Sequence, residues 1–484
     1  MQKKRRKQLM FHDWPSGFHG ARIFQDNRWV KLSKIIPWDL VEAKYSKAFT
    51  RKQTGNPSIE SRMAFGALVI KQDLNLSDEA TVEMIRENPH CQYFIGLSEF
   101  TDVAPFDSSK MVAFRKRFTP EAMAEINEAI IKASEENPPS DPPVSGDDNH
   151  ASSSEQKPDN KGTLLLDATC APANIHYPTD IGILNKAREV SEQLIDQLWQ
   201  PAPGKRKPRT YRQQARQNYL RLSRNKRPGY KLIRKTIRKQ LSYLLRNLGS
   251  IETLSQTTPL SPAQIEKLQV LSMIYAQQQE MYAKRQHKTE NRIVSVHQPW
   301  VRPIVRGKQT ADTEFGAKIA ISVDNGYSRV EKFSFDAFNE SQTLQESCER
   351  YKQRHGHYPE RVLADKIYRN RKNLDYCKAH GIHLNGPKLG RPPKDKKLYE
   401  LQKQLERTEA GERNAVEAKF GEAKLCYGLD RVMALRQDTS ETSVHLIFLV
   451  MNLKKRLRSL FDLLFSSIQL SRFYLSVRLV NVGQ

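Results

Sequence analysis

Two short apolar runs each lead into an aspartate. TLLLDAT, residues 163–169, places Asp167 after three leucines, and ERVLADKIY, residues 360–368, places Asp365 after Val-Leu-Ala. A third acid, Glu417, sits in RNAVEAKFGEAK, residues 413–424. On a helix turning 100° per residue, Arg413, Glu417 and Lys424 fall within about 40° of one another, with Phe420 beside them. Three carboxylates brought to one point repel, raise one another's pKa values, and suit hard divalent cations such as Mg2+ or Mn2+. Two such ions about 4 Å apart activate the attacking oxygen and stabilise the leaving oxygen of an in-line displacement at a phosphodiester. Asp167 and Asp365 would hold the ions, with Asp167 placed to bridge both and Glu417 completing one shell. Arg413 and Lys424 would then grip the flanking phosphates. Each acid also has a plainer reading. A strand-end aspartate is more often a turn residue, and Arg413–Glu417 taken alone is an i,i+4 ion pair worth about 0.3–0.5 kcal/mol.

The elements around these acids decide whether they can meet. A continuous apolar run such as 163–166 predicts a strand buried on both faces, with Asp167 where it leaves the sheet. After residue 291 the pattern turns to strands. GAKIAISVDNGYSRVEKFSF predicts a hairpin about Asp324-Asn325-Gly326. A helix follows, capped by Asn339 or Ser341 and stopped by Gly356. Then come the strand ending at Asp365, another helix, the strand GIHLNG, a basic loop PKLGRPPKDKK, and the helix that carries Glu417. Hairpin strands at one side and crossover helices behind parallel strands define an α/β layered domain.

Charge narrows the partner. The chain has 484 residues and a formal net charge of +25, which predicts a polyanion. The densest basic stretch lies in a helical insert at 185–290, where no Asp or Glu occurs between Asp196 and Glu252. Its cations Lys205, Arg206, Lys207, Arg209, Arg212, Arg234, Lys235, Arg238 and Lys239 interleave with Tyr211, Tyr219 and Tyr230. That pattern suits nucleic acid, the plainer alternative being a solvated basic hairpin. Lys388 and Arg391, in the basic loop, would stand beside the acids. GRPPK within that loop resembles part of a minor-groove hook but lacks the preceding arginine.

The rest of the chain sets boundaries. Residues 1–135 predict an all-α N-terminal domain, with Ser77 capping a helix, suited either to DNA ends or to dimerisation. Residues 136–162 are rich in Pro, Ser, Asp and Asn and predict a disordered linker. Residues 163–455 form the α/β domain, and 456–484 a C-terminal tail. No run approaches the roughly 20 apolar residues of a membrane span, and the N-terminus lacks a signal-peptide core, so a cytoplasmic, nucleoid-associated protein is expected. Five scattered cysteines fit neither a disulfide framework nor a zinc site, and the HGH and HGIH segments read as turns rather than metal ligands. The absence of GxGxxG, GKS/GKT and GxSxG motifs leaves hydride and acyl transfer without support.

In order along the chain, the phrases resemble the DDE transposases of bacterial insertion sequences, in the IS-four/IS-five group with a YREK-type signature. Arg413, Glu417 and Lys424 match R-x3-E-x6-K without a gap, while the signature's tyrosine is replaced by Ala410. LLLDATCAPANIHYPTD, VRPIVRGK, EFGAKIAIS, DAFNES and ERVLADKIYRNRKN are similar to that group, as is the helical stretch from Arg62. The resemblance implies an RNase H-like catalytic domain with a helical insertion after its first strand, two Mg2+ or Mn2+ ions, and Asp167, Asp365 and Glu417 as catalytic ligands. It also implies double-stranded DNA as partner, both terminal inverted repeats and target. Water would cut the 3′ ends, freed 3′-hydroxyls would attack the target, and a homodimer or larger assembly would hold the ends. A DNA-binding relative that has lost the reaction, or another metal-dependent nuclease of the same fold, are the alternatives.

Overall fold

The computed structural model describes residues 26–49, 58–135, 160–201, 203, 206–305, 313–387 and 395–481, of which 461–481 as backbone alone. Among the described residues seven helices come first: α1 (Arg28–Ile35), α2 (Trp38–Ser46), α3 (Ser61–Leu74), α4 (Asp78–Glu87), α5 (Pro89–Phe94), α6 (Lys110–Arg117) and α7 (Pro120–Glu135). Their starts follow local chemistry. The Ser77 hydroxyl accepts from Ala80 N at 3.1 Å, and the Asn88 side chain accepts from the first amides of α5.

Strand β1 (Thr163–Pro172) is followed by four helices, α8 (Asp180–Leu198), α9 (Arg212–Ser223), α10 (Tyr230–Ser255) and α11 (Pro262–Lys284). Then come β2 (Arg302–Val305), β3 (Thr313–Asp324), β4 (Tyr327–Ser334), α12 (Leu344–His355), β5 (Arg361–Ala364), α13 (Arg371–Ala379), β6 (His383–Leu384), α14 (Lys396–Cys426) and α15 (Gln437–Asn481). The sheet runs β2-β3-β1-β5-β6, with β4 paired to β3. β1, β5 and β6 are parallel, while β3 runs antiparallel to β1, β2 and β4. The expected hairpin forms between β3 and β4. Asn325 and Gly326 both take positive φ, 48° and 73°, the left-handed pair that lets a two-residue turn follow the strand twist. Gly316 has another role. A Cβ there would stand 2.1 Å from Ala171 O, so only glycine lets β3 close against the end of β1.

Helices cover both faces of the sheet. On one, Leu164, Leu166, Val362 and Ala364 pack against Leu344, Cys348 and Tyr351 of α12 and Cys377 of α13. On the other, Ile319, Ile321 and Val323 of β3 join a large core with α14, α15 and the N-terminal helices. That core contains Trp38, Phe65, Phe94 and Phe118 from the N-terminal region together with Phe420, Ile447 and Phe448. The boundary read from the sequence at 136–162 is therefore not a boundary of the core. An amphipathic pattern shows that a helix has a buried face, and not which helix it will meet. Within that stretch, 136–159 lie outside the described residues. Asn160, Lys161 and Gly162 are tied down: the Asn160 amide donates to His380 O at 2.8 Å, and Gly162 O accepts from Glu360 N at 3.0 Å.

Two other expectations meet a different arrangement. The C-terminal tail expected from 456 is a continuation of α15, which runs unbroken to Asn481. β1 does not end at Asp167 either. It continues to Pro172, because β3 pairs it well beyond the point where the shorter β5 stops. The helices α8, α10 and α11 bury a separate cluster, including Leu184, Leu194, Leu241, Leu244 and Ile274, away from the sheet.

Candidate active site and basic surface

The last registered pair between β1 and β5 is Leu166–Ala364. The next residue on each strand is an aspartate. Side chains alternate along a strand, so both acids turn away from the face buried by Leu166 and Ala364, toward the side covered by α14. Asp167 stays in the ladder opposite Ile321, half-buried, its Oδ1 accepting from its neighbour Ala168 N at 2.8 Å. Asp365 has left the sheet. It is exposed and caps a single 3-10 turn, Lys366–Tyr368, accepting from Lys366 N at 2.7 Å.

Helix α14 lies across β1 and β5. Val416, Phe420, Ala423 and Tyr427 repeat at helical spacing and enter the core, which fixes the helix's rotation. Glu417 follows Val416 and is exposed, with Arg413 donating to it at 2.9 Å from one turn before. Lys424 is partly buried on the same side, two turns on. Charge reports the proximity of these groups. Burial pushes the Asp167 carboxyl up to about 6; Glu340 and Glu417 push the same way, while the Ala168 amide and Arg413 oppose them. Glu340, in a 3-10 turn Glu340–Thr343 ahead of α12, packs by that turn on the turn that Asp365 caps. The sequence hid it, because an acid just after an Asn cap is the ordinary start of a helix.

A cavity of about 290 Å³ adjoins Asp365, lined by Lys366, Arg369, Asn385, Ala410 and Arg413 among others. Ala410, where the signature has tyrosine, helps to leave it open. Asp167, Asp365 and Glu417 do not draw their oxygens into a tight ligand set. Among the described residues, the one group whose ligand atoms all lie within 4.8 Å is Glu135, Asp324 and His355, at the hairpin end of β3. That group has its cations already. Asp324 bonds Arg329 at 2.7 Å and His355 at 3.4 Å, and its pKa is lowered, burial being outweighed by His355, Arg329 and Arg354. A divalent ion would find little unbalanced charge there.

The basic cations divide by surroundings. Arg206, Lys207, Arg209, Arg212, Lys235 and Arg238 are exposed, while Arg234 and Lys239 are partly buried. Lys207 and Arg212 both reach Asp196, at 2.7 and 2.8 Å. Arg234 lies over the Tyr282 ring at 4.2 Å and donates to Tyr282 O, a packing position. Tyr211 has both Arg209 and Arg246 at 4.6 Å from its ring. Lys239 donates to Asn218 at 3.4 Å. Lys205, Lys388 and Arg391, with the GRPPK loop, lie outside the described residues. No helix among the described residues is long and apolar enough to cross a membrane.

Two stretches of the chain match known families. Residues 362–454, which hold Asp365 and Glu417, match the transposase DDE domain, and residues 19–117 match a second transposase domain family. Asp167 lies outside both. With the mixed sheet and its helices, these matches support an insertion-sequence transposase with an α/β nuclease-like fold. An uncharacterised protein, ORF8 in the nfe locus of Rhizobium meliloti, is 29% identical over 163 residues, 33% of this chain and 69% of that protein. No solved structure matches.

Proposed function

We propose that this protein is a DDE transposase of the YREK-type group. On this reading it binds the terminal inverted repeats of its element, cuts phosphodiester bonds there, and joins the 3′-hydroxyls to target DNA. The sheet order, with β1 and β5 parallel and β3 and β4 antiparallel beyond β1, supports an RNase H-like catalytic domain into which α8–α11 are inserted. One observation carries the site assignment: Asp167 and Asp365 each follow a residue of the last β1–β5 pair, beneath the helix that presents Glu417 and Arg413.

The donor set fits Mg2+ or Mn2+. It is all carboxylate, and burial raises the Asp167 carboxyl first, with the charges of Glu340 and Glu417 adding to the rise, a condition that a divalent cation relieves. Asp167, Asp365 and Glu417 would hold two ions. When bound, such ions supply Lewis-acid activation of the attacking oxygen and stabilisation of the leaving one. The chain does the rest. Arg413 is positioned to exchange its hydrogen bond to Glu417 for a phosphate oxygen, with Lys424 gripping a second phosphate along the helix. The exposed cations of α9, α10 and the segment before them bind the duplex backbone, and a dimer or larger assembly pairs the ends.

The test uses duplexes bearing the element's ends, with Mg2+ or Mn2+, and native protein beside Asp365→Asn. Metal-dependent nicking at 3′ ends by native protein, with binding but no cutting by the variant, is expected. Equal cutting by the variant removes Asp365 from the site. Cutting without preference for repeated ends turns the assignment to a general nuclease, and binding without cutting by the native protein to a silent relative.

A further inference from the structure

The turn carrying Glu340 packs on the turn that begins at Asp365. Asn373, only 3% exposed, fastens them together. Its Nδ2 donates to Ser341 O at 2.8 Å and to Tyr368 O at 2.9 Å. Glu340 is half-buried and meets the Lys318 ammonium at 2.9 Å. Lys318 stands on β3 opposite Cys170, three residues past Asp167 on β1, and also donates to Phe338 O at 2.8 Å. Tyr368 is fully buried in this neighbourhood, its hydroxyl beside that of Thr343. The Thr343 hydroxyl beside it is engaged with Glu340 O at 2.9 Å. Burial raises the Tyr368 pKa first, Thr343 opposes, and the charges of Glu340, Asp167 and Asp365 raise it further.

We propose that Glu340 is a fourth carboxylate of the ion-binding set, held by Lys318 while no ion is bound. The inference rests on the reading of Asp167, Asp365 and Glu417 given above. Three carboxylates leave two divalent cations one negative charge short, and Glu340 supplies it. It approaches from the α12 side of the sheet, opposite α14, so the ions would be held between two layers. Asn373 is the positioning residue. It fixes the Glu340 turn relative to Asp365 without touching an ion.

Mn2+ titration of the full chain, reading free ion by electron paramagnetic resonance, tests this without requiring activity. Native protein, Asp365→Asn, Glu340→Gln and Lys318→Met are compared, with binding of DNA ends in the absence of metal as a control. Glu340→Gln is expected to lose one ion, or to bind it at least about tenfold more weakly, while still binding DNA. Native Mn2+ binding by Glu340→Gln, with loss in Asp365→Asn, overturns this proposal and leaves the site assignment standing. Native binding by both variants overturns the two together. If Glu340→Gln fails to fold, Lys318→Met decides, because it keeps the carboxylate and removes its competitor. Several-fold tighter Mn2+ binding is expected, and unchanged or weaker binding overturns the proposal.

Discussion

Asp167 and Asp365 are separated by 198 positions in the chain, yet each is the first residue beyond one rung, Leu166–Ala364, of two parallel strands. Parallel pairing gives both acids the same height and the same face. They differ in setting, since one stays within the β1–β3 ladder and the other opens a turn. Asp167 is therefore held rigidly, and Asp365 has room to adjust.

The first prediction concerns pH. The Asp167 carboxyl is raised from 3.8 to about 6, so the folded state binds this proton more tightly than the unfolded state. That contribution to stability is present below 3.8 and is lost as pH rises toward about 6. At neutral pH without ions the buried charge costs at most about 3 kcal/mol, reckoned as about two units at roughly 1.4 kcal/mol each. In metal-free melting curves between about pH 4 and pH 7, native protein should lose stability relative to Asp167→Asn, and Mn2+ should restore it. Parallel curves would show that the charge is not carried there.

The second concerns the seat of α14. Phe420 fills the core from the helix that presents Glu417, so Phe420→Ala should cost about 3–4 kcal/mol in chemical denaturation. Phe420→Leu should cost less, and should lower nicking while leaving binding of DNA ends within about twofold. Nicking at the native rate by the leucine variant would mean that the helix is seated by its other neighbours.

How much of this was legible beforehand differs by feature. The Asn325-Gly326 hairpin, the helix after Asn339 and the strand before Asp365 were legible because turn chemistry and short-range periodicity act over a few residues. The continuation of β1 past Asp167 was not, because strand length depends on which partner lies alongside. Glu340 was hidden for a related reason. Its turn is fastened to the turn of Asp365 by Asn373, an attachment with no local pattern. The spacing of Arg413, Glu417 and Lys424 was visible at once, but only the burial of Val416 and Phe420 shows which way that face turns.

The third prediction separates cations that bind DNA from cations that hold the fold. Lys235→Glu with Arg238→Glu, both on exposed positions of α10, should weaken duplex binding and make the slope of log affinity against log salt shallower, by about 0.9 for each phosphate no longer neutralised. Arg234→Ala should lower the melting temperature with little change in that slope, because Arg234 is packed on Tyr282. The reverse pattern would move the DNA surface to the other side of the helix.

A fourth tests the shared core. Asn452 is fully buried. Its Nδ2 donates to Asn127 Oδ1 at 2.8 Å and Ser328 O at 2.7 Å, and its Oδ1 accepts from Ser328 N at 3.0 Å. It thereby joins α15 to α7 and β4. Asn452→Leu leaves Asn127 Oδ1 and Ser328 N without the Asn452 amide, Ser328 O keeping only Asn127 Nδ2 at 3.3 Å, and should cost about 2–4 kcal/mol. The N-terminal helices and the sheet should then melt together at the lower midpoint, as followed by proteolysis at sites in each half. Separate midpoints would show that the two halves fold independently.

The core joined by α15 also has a meaning for synthesis. Val444, Ile447 and Phe448 pack with residues from α1–α7 in one cluster, so those helices wait for a segment made about 300 residues later. A nascent chain holds α1–α7 on an incomplete scaffold until that segment of α15 has been made. Gene copies interrupted before codon 444 should therefore yield chains that proteases degrade in their N-terminal half, rather than truncated DNA-binding proteins that occupy the ends and block intact copies. Pulse-chase of such a truncation beside the full chain reads this directly, and a persistent N-terminal fragment would show that the early helices close a core of their own.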